Sequence, residues 1–297
     1  MTDPLNVGML YSRIRKDEKL LLSELRDRGH ETTKVDVRKQ QFGLGDAPAA
    51  LADVDVVLDR CLATSRSLYI TRFLEHYGIP VVNSAETAGL CADKVKNSLA
   101  LARADVPTPR TEVAFTIDSA LESIERFGYP CVIKPVIGSW GRLMAKIDTR
   151  DAAEAILEHK ATLGHYEHKV FYIQEFVEKP GRDIRVVATD GEPVAAMVRS
   201  SDHWLTNAAK GAHVEEFTVT DEVRDLVERA SAAVGGGLLG VDLMETGDSG
   251  YTVHEVNHTV EFKALDSATD VNVAEAVVDW LEAHVDADRE TATLQGA

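Results

Sequence analysis

Read for its apolar positions alone, the chain begins with short continuous runs, LNVGML, VDVVLDR and GIPVVN, which have the length and composition of strands. Between the first two, KDEKLLLSELRDRGH carries its leucines at helical spacing and stops at Gly29. Strands alternating with helices imply a parallel sheet. The pattern changes at NSAETAGLCADKVKNSLALARADVPTP, where Asn83 or Ser84 can cap a helix and Pro107 and Pro109 end the next. A second alternation follows: the strand TEVAF, a helix over DSALESIERFG, the strand PCVIKPV, a glycine-bearing loop IGSWGRL, a helix over RDAAEAILEHKATLG and the strand VFYIQEFV. Further on, DIRVVATDGEPVAAMVR predicts a hairpin turning at Asp190 and Gly191. A helix over TDEVRDLVERASAAVG, two strands around LLGVDLMETGDSGYTVHEV and a last helix, NVAEAVVDWLEAHV, complete the pattern. The tail DADRETATLQGA is expected to be mobile.

Composition narrows the function classes. The length of 297 residues suits about two domains, and 44% hydrophobic residues supply their cores. No apolar run approaches the roughly 18 residues of a membrane span, and MTDPLNVGML lacks the blocks of a signal peptide, so a cytoplasmic protein is expected. Cys61, Cys91 and Cys131 are widely spaced and read as buried thiols, neither a disulfide framework nor a zinc site. A net charge of −17 opposes binding to nucleic acid or to anionic membranes. The 19 Arg and 13 Lys face 49 acids dispersed along the chain, a balance that a salt-rich cytosol screens and that fits a halophilic source; mild acidity of a mesophilic enzyme is the competing reading.

The candidate chemistry starts with YTVHEVNHTVEF, residues 251–262. Alternation on a strand puts Glu255 and Asn257 on one face, and Asp242 in GVDLMET joins them on the paired strand if Asp248, Ser249 and Gly250 form the turn. Two carboxylates and an amide oxygen suit Mg²⁺, which fills its octahedron with water and phosphate oxygens. The alternative is a half-exposed hairpin with polar residues facing solvent. Lys134 ends a buried strand beside the loop GSWGR, a combination suited to phosphate groups. Neither G-x-x-x-x-G-K-[ST] nor G-x-G-x-x-G is present, which disfavours a P-loop and a nicotinamide dehydrogenase.

Six stretches taken in order, VVNSAETAGLCADK, VIKPVIGSWGRL, YIQEFVEKPGRDIRVV, HWLTNAAKGA, GVDLMET and HEVNHTVEF, resemble the ATP-grasp ligases, specifically the branch of RimK-type ligases and the LysX/ArgX enzymes. The resemblance implies an α/β fold with α+β parts. It has an N-terminal Rossmann-like parallel-sheet domain over 1–88, a small central lid domain over 89–173, a C-terminal mixed-sheet catalytic domain over 174–286 and a flexible tail over 287–297. It implies ATP with Mg²⁺, two ions being expected. Lys94 and Lys134 are expected on the nucleotide phosphates, with the loop Gly138, Ser139, Trp140, Gly141 and Arg142 closing over them. Glu175, Phe176 and Val177 are expected at the adenine and Asp183 near the ribose. Asp242, Glu255 and Asn257 are expected on metal. Arg185 is expected to face the phosphates or the substrate, and Arg199 and Asn207 to sit near the acyl phosphate or the amino acid, with an ion pair for Arg185 and a helix cap for Asn207 as alternatives. Trp140 and Trp204 are more readily packing residues.

The activity implied is amide formation through an acyl phosphate, giving ADP and phosphate. In the resembled enzymes the activated carboxylate is that of the C-terminal glutamate of a small acidic carrier protein, LysW, and the amine is the α-amino group of glutamate or 2-aminoadipate, in arginine or lysine biosynthesis. The suspected halophilic source inclines the choice to glutamate. Arginines 13, 15, 66, 72, 142 and 199 are candidates for the basic surface that such a carrier needs. Homodimers or tetramers are usual in the resembled family. A RimK-like ligase adding glutamate to another protein or a small acyl acceptor, and a nucleotide-binding regulator without catalysis, are the rival functions.

Overall fold

The computed structural model describes residues 3–138, 142–163, 169–206, 213–247 and 250–295. Strand β1 (Asn6–Tyr11) is flanked in parallel by β2 (Glu31–Asp36) and β3 (Val56–Asp59), and β4 (Val81–Val82) completes the order β2-β1-β3-β4. Helices α1 (Lys16–Asp27) and α2 (Thr64–His76) make the crossovers. The alternation of the first third therefore does produce a parallel sheet. Strand β2 has no counterpart in the apolar pattern: ETTKVD holds no apolar run, and only its last two residues are buried.

Ser84 caps α3 (Ala85–Ala92), accepting from Thr87 N at 3.1 Å. Asp93 then caps α4 (Lys94–Arg103), accepting from Val95 N at 2.9 Å and Lys96 N at 3.1 Å, which makes Lys94 the first residue of a helix.

The second alternation folds differently. Strands β5 (Thr111–Ala114), β6 (Cys131–Lys134), β7 (Ala145–Ile147) and β8 (Phe171–Glu175) form an antiparallel sheet in the order β5-β8-β6-β7. Helices α5 (Ile117–Phe127) and α6 (Arg150–Leu163) supply Ile124 and Leu157 to a core of its own with Ile133 and Ile173.

The third sheet has the order β11-β10-β9-β12-β13, from β9 (Arg182–Thr189), β10 (Glu192–Ser200), β11 (His213–Glu216), β12 (Leu238–Glu245) and β13 (Tyr251–Asn257). The expected β9–β10 turn is present, with Asp190 at φ 47° and Gly191 at φ 91°, the left-handed pair a tight hairpin requires. One face packs on α4 and α7 (Asp221–Val234), through Leu101 and Val227. The other shares a core with the N-terminal sheet and α8 (Val273–Gln295), where Val7, Leu21, Val187 and Leu281 belong to one cluster. Helix α8 runs to Gln295, through residues expected to be a tail, since neither Pro nor Gly interrupts it before Gly296.

All three cysteines are buried free thiols, and burial pushes Cys131 up to about 11. Among the described residues no helix is long and apolar enough to cross a membrane.

Candidate active site

A cavity of about 420 Å³ opens where the three sheets meet. Its described lining carries seven lysines and arginines against five carboxylates, the reverse of the balance over the whole chain. Such a cavity suits a polyanion.

One wall is a checkerboard of charge on three neighbouring strands. Register places Arg199 on β10 opposite Asp183 on β9, and Arg185 on β9 opposite Asp242 on β12. Arg199 donates through Nε to Asp183 Oδ1 at 2.6 Å and through Nη2 to Asp242 Oδ1 at 3.0 Å. Arg185 grips Asp242 with both arms, Nη2 to Oδ2 at 2.6 Å and Nε to Oδ1. Gly240, beside this fork, makes room for Val260: a Cβ there would lie 2.7 Å from Val260 Cγ2 and 3.2 Å from its Cβ. Burial pushes the Asp242 carboxyl up, but the two guanidinium charges outweigh it and hold the group well below the usual carboxylate range.

Across the next ladder Asp242 faces Glu255 and Gly240 faces Asn257, so the three expected metal ligands converge on one face of β12 and β13. Asn257 Nδ2 lies 3.4 Å from Asp242 Oδ2, the amide donor being turned to the carboxylate. Among the described residues no three acidic, His or Cys side chains form a ready metal cage. Two carboxylates and an amide oxygen fit Mg²⁺, the ion that takes few protein ligands and completes its shell with phosphate and water oxygens.

The facing wall is cationic and paired differently. Lys94, fixed as the first residue of α4, donates to Gly138 O at 2.7 Å and lies 3.2 Å from Glu255 Oε1. Its backbone N–H donates to Val136 O at 2.9 Å, which ties the helix to the start of the glycine loop. Lys134, at the end of β6, donates to Gln174 Oε1 and lies 3.2 Å from His254 Nε2. Burial, reinforced by the Lys94 and Lys179 charges and opposed by Glu255, pushes Lys134 down to about 7.

At the end formed by β8, Phe176 and Val177 line the cavity beside Met144 and Met244. The Glu175 carboxylate turns outward to accept from Arg110 N at 2.7 Å, and the Glu175 N–H donates to Arg110 O at 3.0 Å.

The sequence agrees with this architecture over nearly its whole length. Residues 7–90 match the LysX preATP-grasp domain and residues 91–281 match the RimK-like ATP-grasp domain. The chain belongs to the RimK-like ATP-grasp ligases. It is 35% identical to a Saccharolobus solfataricus protein named alpha-aminoadipate–LysW ligase LysX, over 90% of this chain and 99% of that one. It is 30% identical to a Sulfolobus acidocaldarius protein named glutamate–LysW ligase ArgX, over 94% and 98%. Among solved structures, a RimK domain ATP-grasp protein from Sphaerobacter thermophilus superposes with a TM-score of 0.79 at 31% identity, covering 93% of this chain and 98% of that one.

Within this ATP-grasp frame, Lys94, Lys134, Gly138, Arg142, Glu175, Phe176, Val177, Asp183, Arg185, Arg199, Asp242, Glu255 and Asn257 all line the one cavity. Ser139, Trp140, Gly141 and Asn207 lie outside the described residues. Asp183, expected near a ribose, lines the cavity and organises the wall: it accepts from Arg199 and Thr206, and Lys179 Nζ lies 3.5 Å away. Arg185 forms an ion pair with Asp242 while lining the cavity. Trp204 lines the cavity with its ring 6.4 Å from that of Phe176.

Two arginines leave the expected basic surface, because Arg199 is buried in the wall and Arg15 bonds Glu18 at 2.6 Å and Glu261 at 2.5 Å. Arg13, Arg66 and Arg72 are exposed. Sequence reasoning passed over Gln174, Lys179 and His254. An amide inside the buried run FYIQE was the available signal for Gln174; nothing local marks His254, whose placement depends on pairing register.

Proposed function

We propose that this ATP-grasp ligase activates the carboxylate of the C-terminal glutamate of a small acidic LysW-type carrier. It then joins that carboxylate to the α-amino group of glutamate or 2-aminoadipate, releasing ADP and phosphate. The observation that carries the proposal is the convergence of Lys94 and Lys134 on one wall with Asp242, Glu255 and Asn257 on the other, inside one cation-rich cavity. The names of the relatives, five of them LysW ligases at 30–35% identity, support the carrier and the amino acid class. Those named for aminoadipate share 32–35% and those named for glutamate 30%, a margin too small to fix the length of the side chain.

A carboxylate resists attack by amines because it is charged and lacks a leaving group. Bound MgATP supplies the γ-phosphoryl that makes one, and the metal spreads the charge of the group in transfer. Asp242, Glu255 and Asn257 hold the metal, two ions being expected. Lys94 and Lys134 take the phosphate chain, and the backbone at Glu175 and Val177 receives the adenine. Arg185 and Arg199, fixed by Asp242 and Asp183, offer preorganised charge to the acyl phosphate, so no covalent protein nucleophile is required. The cytoplasm, where ATP is made available to biosynthesis, is the proposed location.

The test is incubation with ATP, Mg²⁺, the carrier and each amino acid in turn, reading ADP release and the intact mass of the carrier. A gain of one amino acid residue is expected with one or both. ATP turnover without gain in mass excludes the carrier. It would favour the second reading, a small acyl acceptor, which the match to tetrahydromethanopterin:α-L-glutamate ligases supports at 30% identity over 78% of this chain.

A further inference from the structure

Pairing between β12 and β13 slips by one residue at the site. Asp242 lies opposite Glu255 but Leu243 lies opposite Val253, leaving His254 as an extra residue on β13. In a regular strand His254 would face away from the side that Glu255 faces; a bulge brings both to the cavity, and both line it. Nε2 of His254 then lies 3.2 Å from Lys134 Nζ. An ammonium group has donors only, so this ring nitrogen accepts, and the ring proton belongs on Nδ1. Nδ1 is buried and has no hydrogen-bond partner among the described residues, which leaves Lys134 as the partner that accounts for an imidazole here.

The other acceptor for Lys134 is Gln174 Oε1, and its orientation is fixed because Gln174 Nε2 donates to Thr111 Oγ1 at 3.0 Å and to Tyr172 OH at 2.9 Å. Both groups that aim the ammonium are neutral. A carboxylate in either place would compete with incoming phosphate for the lysine charge.

We propose that His254 is a positioning residue for nucleotide binding: carried onto the cavity wall by the bulge, it works with Gln174 to hold the Lys134 ammonium toward the phosphate chain without neutralising it. This rests on the ATP-grasp reading of the cavity, and the test separates the two. MgADP binding by calorimetry is compared for the wild type, His254→Leu, His254→Gln and His254→Asn, with thermal melts to establish folding and KM values for ATP and for the amino acid.

The Leu variant is expected to lose about tenfold in MgADP affinity. The Gln variant, whose amide oxygen reaches the position of Nε2, recovers most of that loss; the Asn variant, whose amide sits where Nδ1 does, recovers little. KM rises for ATP and not for the amino acid. Leu binding within about twofold of wild type, or Gln no better than Asn, overturns the inference. Should the Leu variant fail to fold, the Gln and Asn pair decides alone. Absence of MgADP binding by the wild type would instead overturn the function from which the inference starts.

Discussion

The two walls of the cavity are both built from buried charge, yet they treat it in opposite ways. On the β10-β9-β12 wall every charge meets its opposite: Arg199 and Arg185 enclose Asp242, and Asp183 anchors Arg199. On the facing wall Lys134 rests on an amide oxygen and an imidazole, and Lys94 is shared between a backbone carbonyl and Glu255. The first wall balances its own charges and holds its guanidinium groups in fixed positions. On the second, the Lys134 ammonium has only neutral hydrogen-bond partners among the described residues, a standing cost that a bound phosphate chain would offset.

Removing charge should therefore have opposite consequences for stability on the two walls. Asp242→Asn removes a proposed metal ligand and leaves two buried guanidinium groups, Arg185 and Arg199, facing a neutral amide. Ligase turnover is expected to fall by about a thousandfold or more, and denaturant unfolding should show a loss of roughly 3–5 kcal/mol.

Lys134→Met should weaken MgADP binding by about a hundredfold while stabilising the ligand-free chain. The folded-state value of about 7 lies below the ordinary 10.5. Below pH 7 both folded and unfolded chains carry the proton, and the folded chain bears the full cost of burying it; as pH rises from 7 to 10.5 that cost disappears. The gain from Met is thus on the order of a few kcal/mol at pH 6 and fades toward pH 10.5, which denaturant melts across that range would show. An equal loss of stability in both variants would erase the contrast between the walls.

Two smaller effects sharpen it. Arg185→Lys keeps the charge but not the fork on Asp242, so kcat should drop about tenfold with KM for ATP nearly unchanged. MgADP binding at pH 8 should take up a fraction of a proton, approaching one, as phosphate restores the Lys134 charge; at pH 6 it should take up none. Calorimetry in buffers of different ionisation enthalpy reads this directly.

What the sequence revealed follows the range over which each interaction acts. The convergence of Asp242, Glu255 and Asn257 on one face was legible because strand alternation and one hairpin suffice to bring them together. The parallel sheet was legible from its apolar runs, whereas β7 and β11 are three and four residues long, partly polar, and carry no comparable signal. The ordering of the central sheet, with β8 inserted between β5 and β6, depends on contacts distant in sequence that no local pattern encodes. Asp183 was expected near the ribose through the family resemblance alone. Its work as the anchor of Arg199 became visible once β9 and β10 were in register. His254 shows the limit most clearly, since one bulge reverses the face that alternation assigns to it.

The central claim, that this cavity transfers the γ-phosphoryl of ATP to a carboxylate and then passes the acyl group to an amine with release of phosphate, can be followed atom by atom. A LysW-type carrier whose C-terminal glutamate carries ¹⁸O in its carboxylate groups is incubated with unlabelled ATP, Mg²⁺ and the amino acid, and the released phosphate is examined by mass spectrometry. An acyl phosphate route predicts one ¹⁸O in each phosphate formed with product, because the carboxylate oxygen that attacks phosphorus leaves with it. Unlabelled phosphate accompanying product would contradict the account.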